Sequence, residues 1–188
     1  MRHLKTIPRQ IISIIRYPRL FLLAERTGRE NRLGPAGRFY HHRQIHLGNS
    51  IYIAPGFHIS AYKLRIGNGV QIGPGLLIEC HDHTFNIVGK TLWELRKIKN
   101  YSGVSIEDDV WIGGKVSILK GVSIGEGTVV GASSVVTRSL PPYAICVGTP
   151  CKPIKRRFTE KELEEHLNQV PTAYNAEEVK ALWKESGL

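Results

Sequence analysis

The chain has 188 residues, 41% of them hydrophobic, and a formal net charge of +10. That size suits one domain with short appendages, and that hydrophobic content excludes disorder by composition. Residues 1–40 hold nine Lys/Arg against only Glu25 and Glu30, a net +7, whereas the tail from Lys152 balances seven basic with seven acidic residues. The excess therefore favours an anionic surface or ligand; no nucleic-acid motif or basic–aromatic interleaving accompanies it, so no nucleic-acid partner is expected.

Residues 1–40 read as a basic N-terminal helical cap. Pro8 suits a helix start and Pro18 divides the segment. Ile7, Ile11, Ile14 and Ile15 form an apolar stripe with Arg9, Arg16 and Arg19 at its margins. Ser13 interrupts the run and Arg16 ends it, too soon for a membrane span or an ordinary signal peptide. Two readings stand. As a cap, the stripe packs over the open end of the domain; as a peripheral membrane helix, it makes weak surface contact. The cap is preferred because an open domain end needs covering. His41, His42 and His46 follow on a basic stretch and read as solvated, not as metal ligands.

From Leu47 the sequence falls into blocks of six. Leu47, Ile53 and Ile59 open three blocks; one extra residue near Lys63–Arg65 shifts the phase; Ile66, Ile72 and Ile78 open three more. The period resumes as IEDDVW, IGGKVS, ILKGVS, IGEGTV, VGASSV from Ile106. An amphipathic helix would space its apolar residues by three and four. A fixed six-residue period instead marks an all-β solenoid, a parallel β-helix with one aliphatic residue per block pointing inward. This domain is expected over 41–150. Between Ile78 and Ile106 about 22 residues, roughly 84–105, form an inserted loop. A loop of that length in a compact solenoid is usually functional. Pro141 and Pro142 break the repeat. The extension 151–188 is expected to carry short helices, one capped by Thr159 and ended by Pro171, another over 176–184. Cys80, Cys146 and Cys151 are odd in number and lack a CxxC pair, which points to a reducing, cytoplasmic setting.

The stretch DDVWIGGKVSILKGVSIGEGTVVGASSVVTRSLPPYAICVGTPCKPIKR resembles the hexapeptide-repeat acyltransferases, nearest to the galactoside, maltose and polysaccharide O-acetyltransferase group. The resemblance implies a left-handed parallel β-helix, a hand that periodicity does not supply and that opposes the usual crossover rule. It also implies acetyl-CoA as acyl donor co-substrate, no metal, a saccharide acceptor, and a homotrimer with sites between subunits. Localisation would be cytoplasmic, with the inner face of the membrane as an alternative.

Such enzymes use a histidine general base near the irregular segment, which here matches His81 in the run Glu79-Cys80-His81-Asp82-His83. The residues single out the same place: among the regular blocks only this one carries a charge, Asp82, in its fifth position, and it directly precedes the insert. Histidine takes and returns protons near neutral pH. His83 is the rival base, and Asp82 or Glu79 would orient the imidazole. Cys80 is structural, because adjacent strand residues point to opposite faces. By resemblance, cofactor contacts fall on the backbone of Gly114 and Ala132, on Thr137 and Arg138, and on Lys152 and Lys155 at the phosphates. The last two are often Arg in relatives, and Lys keeps the charge without the bidentate fork. Two other activities share the architecture: a γ-class carbonic anhydrase-like metalloenzyme using His58, His81 and His83, and an N-acetyltransferase for an amino sugar or antibiotic. The coenzyme-type C-terminal element and the long loop argue against the first.

Overall fold

Three strands and three corners make one coil, and the coils stack in register. The computed structural model describes residues 8–60, 62–97 and 99–188. Two short helices, α1 (Arg9–Arg16) and α2 (Pro18–Leu23), lead into the first coil, β1 (Arg26–Thr27), β2 (Arg32–Leu33) and β3 (Arg38–Tyr40). The second coil is β4 (Ile45–Leu47), β5 (Tyr52–Ile53) and β6 (His58–Ser60); the third is β7 (Leu64–Ile66), β8 (Gln71–Ile72) and β9 (Leu77–Glu79). The chain then leaves the solenoid in a two-stranded ribbon: β10 (His81–His83), a loop holding α3 (Leu92–Leu95), and β11 (Lys99–Tyr101). It re-enters with β12 (Val104–Ile106), β13 (Trp111–Ile112) and β14 (Ser117–Ile118), followed by β15 (Ser123–Ile124), β16 (Val129–Val130) and β17 (Val135–Val136). A hairpin, β18 (Ala144–Gly148) and β19 (Cys151–Arg156), and two helices, α4 (Glu160–Leu167) and α5 (Ala176–Glu185), complete the chain.

The three sides are parallel sheets of five, seven and five strands, the longest made antiparallel only at its β18–β19 edge. Register places like on like: Ile53 on Ile72 and Ile72 on Ile112, Ile59 on Ile78, and Ile118 on Ile78. These side chains are fully buried and form one continuous core. Each coil advances by one strand spacing, about 4.8 Å, so the inward column is a stack of contacting aliphatic residues. Glycine is required where backbones close up. A Cβ on Gly113 would lie 2.6 Å from the Ala132 nitrogen in the next coil.

The solenoid begins earlier than the repeat predicts. Thr27, Leu33 and Phe39 pair in parallel with Leu47, Ile53 and Ile59, making a full coil inside the segment expected to be a helical cap. The six-residue spacing is present, but Thr27 is polar, and the turn at 41–44 breaks the phase before Ile45. At the other end, residues 151–156 extend the sheet, not the helical extension. The excursion from the coil is also wider at its start than 84–105, since His81–His83 already belong to the ribbon, while Val104 and Ser105 are back in β12.

The N-terminal helix is turned over relative to expectation. Ser13 is the buried residue of α1, and Ile11, Ile12, Ile14 and Ile15 are exposed. Ser13 Oγ accepts from the Leu33 N–H at 2.9 Å, Arg16 donates to the Leu33 carbonyl at 2.9 Å, and Gln10 accepts from the Glu30 N–H at 2.8 Å. Tyr17 donates to the Gly34 carbonyl and accepts from the Gly37 N–H. The cause is the open edge of the first coil, whose unpaired backbone groups need polar partners more than they need a hydrocarbon lid. Apolar cover comes instead from Leu20, Phe21, Tyr17 and Ala24. The C-terminal helices behave as the sequence suggests. Thr159 and Glu162 form a capping box, and Trp183 packs with Tyr143, Leu163 and Val179 while donating to the Pro142 carbonyl at 2.8 Å.

Candidate active site

Because the register is fixed, equivalent corners of successive coils lie in columns. One column follows the sheet containing β9, β14 and β17. There the pairings Ile78 with Ile118 and Ile118 with Val136 put Glu79, Leu119 and Thr137 at successive levels. This corner carries His81 at the third coil, Lys120 at the fourth and Arg138 at the fifth. From third to fifth coil is about 10 Å along the axis.

His81 is half-buried at the base of the β10–β11 ribbon. Its Nδ1 lies 3.2 Å from Ser60 Oγ and 3.6 Å from Glu79 Oε2, and its Nε2 lies 3.4 Å from Lys99 Nζ. The Tyr101 ring, opposite it in the ribbon, stacks at 5.6 Å between centroids. A carboxylate beside Nδ1 selects the tautomer protonated there and leaves the Nε2 lone pair free to accept. Burial, then the Lys99 charge, lowers the imidazole pKa from its ordinary 6.5, against a smaller opposing pull from Glu79. The lowering favours the neutral ring at pH 7, the form a general base would require. Glu79 also approaches His58 Nε2 at 3.9 Å, linking the outward face of β6 to the same carboxylate.

Asp82 points the other way, as strand alternation demands, and pairs with Lys120 at 3.1 Å. It ties the ribbon to the next coil, and Glu79, not Asp82, is the carboxylate at the imidazole. His83 is exposed, farther along the ribbon opposite Lys99. Cys80 is buried in the core, and burial pushes its thiol pKa up, which disfavours the thiolate. Sequence reasoning missed Ser60, Lys99 and Tyr101. Ser60 lies directly below Glu79 in register, which only the coil alignment reveals. Lys99 and Tyr101 belong to the insert, whose length signalled function without saying which residues fold back.

Thr137, Arg138 and Lys152 come together, lining a groove of about 620 Å³ closed by Pro141, Pro153 and the end of α5 at Glu185 and Ser186. Two cations in one groove suit an anionic group. Lys155 does not line it; it sits opposite Ile145 on β19. Gly114 and Ala132 occupy a different corner, between β13 and β14 and between β16 and β17. The Ser133 N–H donates to the Gly114 carbonyl at 2.9 Å, stacking the two turns. Among the described residues, neither the Gly114 N–H nor the Ala132 N–H has a partner within the chain. One side of the prism, about 16 Å for five extended residues, separates this corner from Thr137. The expected site is thus divided between two edges of one chain. Among the described residues no three His, Cys, Asp or Glu side chains are grouped to hold a metal.

Residues 103–138 match the family model for the bacterial transferase hexapeptide (six repeats). A chloramphenicol acetyltransferase from Klebsiella aerogenes is 42% identical over 76 residues, which is 40% of this chain and 36% of that relative, so the chain matches about a third of its length. A hexapeptide-repeat acetyltransferase from Vibrio cholerae, solved with acetyl coenzyme A, superposes with TM-score 0.70 at 28% identity, covering 78% of this chain and 79% of its own. A maltose O-acetyltransferase from Clostridium difficile does so with TM-score 0.68 at 29% identity, covering 85% and 80%. The chain resembles the hexapeptide-repeat acetyltransferases in repeat and in fold, a left-handed parallel β-helix.

Proposed function

We propose that the protein transfers an acetyl group from acetyl-CoA to a saccharide hydroxyl, with His81 as general base. The observation that carries this reading is the fixed, neutral imidazole of His81 on the same corner column as the cationic groove of Arg138 and Lys152. The acyl end of the donor would lie near the third coil. Its phosphates would lie near the fifth coil and β19, so the donor runs along the solenoid axis. The acetyltransferase relatives and the acetyl-CoA complex of the Vibrio neighbour support the donor, and the maltose enzyme supports a sugar acceptor.

In this scheme the acceptor O–H displaces Lys99 from Nε2 and gives its proton to the ring. The oxygen attacks the thioester carbonyl, and the carbonyl oxygen gains negative charge stabilised by a backbone N–H. The C–S bond then breaks, and the leaving thiolate takes the proton back from the imidazolium. No acyl-enzyme is needed. The unpartnered Gly114 amide is the donor suited to the oxyanion, yet it sits one prism side away within a single chain. The divided site therefore favours a homotrimer in which the Gly114–Ala132 corner of one subunit faces the His81 edge of its partner.

An acceptor screen with acetyl-CoA, reading free thiol release over a panel of sugars, amino sugars and chloramphenicol, tests the activity. Mixing subunits tests the division. Co-assembly of His81→Ala subunits with Gly114→Trp subunits, each inactive alone, is expected to restore a fraction of activity. Thiol release from the His81→Ala protein at the wild-type rate would remove the base assignment, and absence of complementation in a verified mixed oligomer would remove the shared site.

A further inference from the structure

The outward face of the N-terminal helices has no role in the site just described. Ile15 is 70% exposed and Leu22 82%, with Ile11, Ile12, Ile14 and Leu23 beside them in the sequence and also exposed. So many large apolar residues exposed within one short helical segment mark an interaction site. It is not left over from a failed cap: the polar side of α1 is spent on the backbone of the first coil, and the isoleucines are directed outward by that choice. Arg9, Arg16, Arg19, Arg26, Arg29, Arg32 and Arg38 are all exposed at this end, against Glu25 and Glu30.

A groove of about 380 Å³ lies at the same end, lined by Arg16, Arg19, Arg38, Tyr40 and His42. Burial, and after it the neighbouring Arg19 charge, lowers the His42 pKa. Apolar residues bordered by cations, beside a cationic recess, fit a surface that has hydrocarbon beneath anionic headgroups. A second copy of the chain fits less well, since face-to-face pairing would oppose the same arginines.

We infer that α1 and α2 form a peripheral docking face for an anionic phospholipid surface, with the isoleucines and Leu22 entering the headgroup boundary and the cationic groove taking a lipid phosphate. The first coil is two strands from the His81 level, about 10 Å, so a surface-held acceptor would lie within reach of the ribbon. Docking does not depend on the chemistry proposed above.

The full chain is sedimented with vesicles of phosphatidylcholine alone and with vesicles containing about one-third phosphatidylglycerol, at low and high salt. Binding is expected only to the anionic vesicles, weakened by salt because the attraction is screened within about 10 Å at 0.1 M. The variant Ile15→Ser/Leu22→Ser is expected to bind at least about tenfold more weakly, from lost apolar insertion. Arg19→Gln/Arg38→Gln is expected to lose the anionic preference. Both should keep the wild-type melting temperature and oligomeric state. No binding of wild type to anionic vesicles at low salt, or wild-type binding by Ile15→Ser/Leu22→Ser, overturns the proposal. So does a change in oligomeric state caused by Ile15→Ser/Leu22→Ser, which would assign the face to a second copy.

Discussion

His81 Nε2 lies 3.4 Å from Lys99 Nζ, across a two-stranded ribbon that exists only because 20-odd residues leave the solenoid and return. The contact holds a cation at the atom that would accept the proton in the proposed transfer. After burial, it is the next cause that lowers the imidazole pKa, and an acceptor hydroxyl bonding Nε2 would have to displace it.

The first consequence is a pH profile. A base must be neutral, so with His81 as base turnover is expected to fall as pH drops through its pKa, which burial and then Lys99 lower from the ordinary 6.5. The acid limb of kcat/KM is expected below pH 6.5. Lys99→Met removes a charge that lowers the pKa, and the limb should move to higher pH. Glu79→Gln removes the contribution that raises it, and the limb should move lower. An acid limb that ignores both substitutions would mean another group titrates.

Which histidine is the base is decided by substitution. His81→Ala is expected to reduce kcat by about 10²–10⁴-fold, the usual worth of general base assistance, with the melting temperature retained. His83→Ala, exposed on the ribbon, should change kcat by much less. The reverse order would transfer the role to His83.

The two lysines proposed to meet the donor phosphates are placed differently. Lys152 lines the groove with Thr137 and Arg138, and Lys155 does not. Lys152→Ala should therefore raise KM for acetyl-CoA more than Lys155→Ala does, with smaller changes in kcat for both, since these contacts lie away from the reacting carbon. Steady-state kinetics with acetyl-CoA varied at saturating acceptor measures this.

Stability at the N-terminal end should follow the polar side of α1. Ser13→Ala leaves the Leu33 N–H buried without its acceptor and is expected to cost about 1–3 kcal/mol. Ile15→Ser, on the outward side, should change stability by no more than about 0.5 kcal/mol. Urea unfolding of the two variants compares them directly, and the opposite ranking would restore the apolar-lid arrangement.

The six-residue period by itself determined the solenoid. A repeat that puts one aliphatic residue inward per side has one way to bury them all, so Ile53, Ile72 and Ile112 stack as their spacing says. The candidate base was legible too, because a block ending in His-Asp-His before a long insert departs from its neighbours. Tertiary structure decided what local pattern cannot carry. The first coil was hidden because Thr27 is polar and the 41–44 turn shifts the phase, yet backbone pairing with Leu47 needs no apolar side chain. The helix stripe has a period but no direction: which side of α1 faces inward depended on the unpaired Leu33, Gly34 and Gly37 groups it had to meet. The partners of His81 come from Ser60, one coil earlier, and Lys99, across the ribbon. Residues 21 and 18 positions away in sequence become neighbours only when coils stack and the insert folds back.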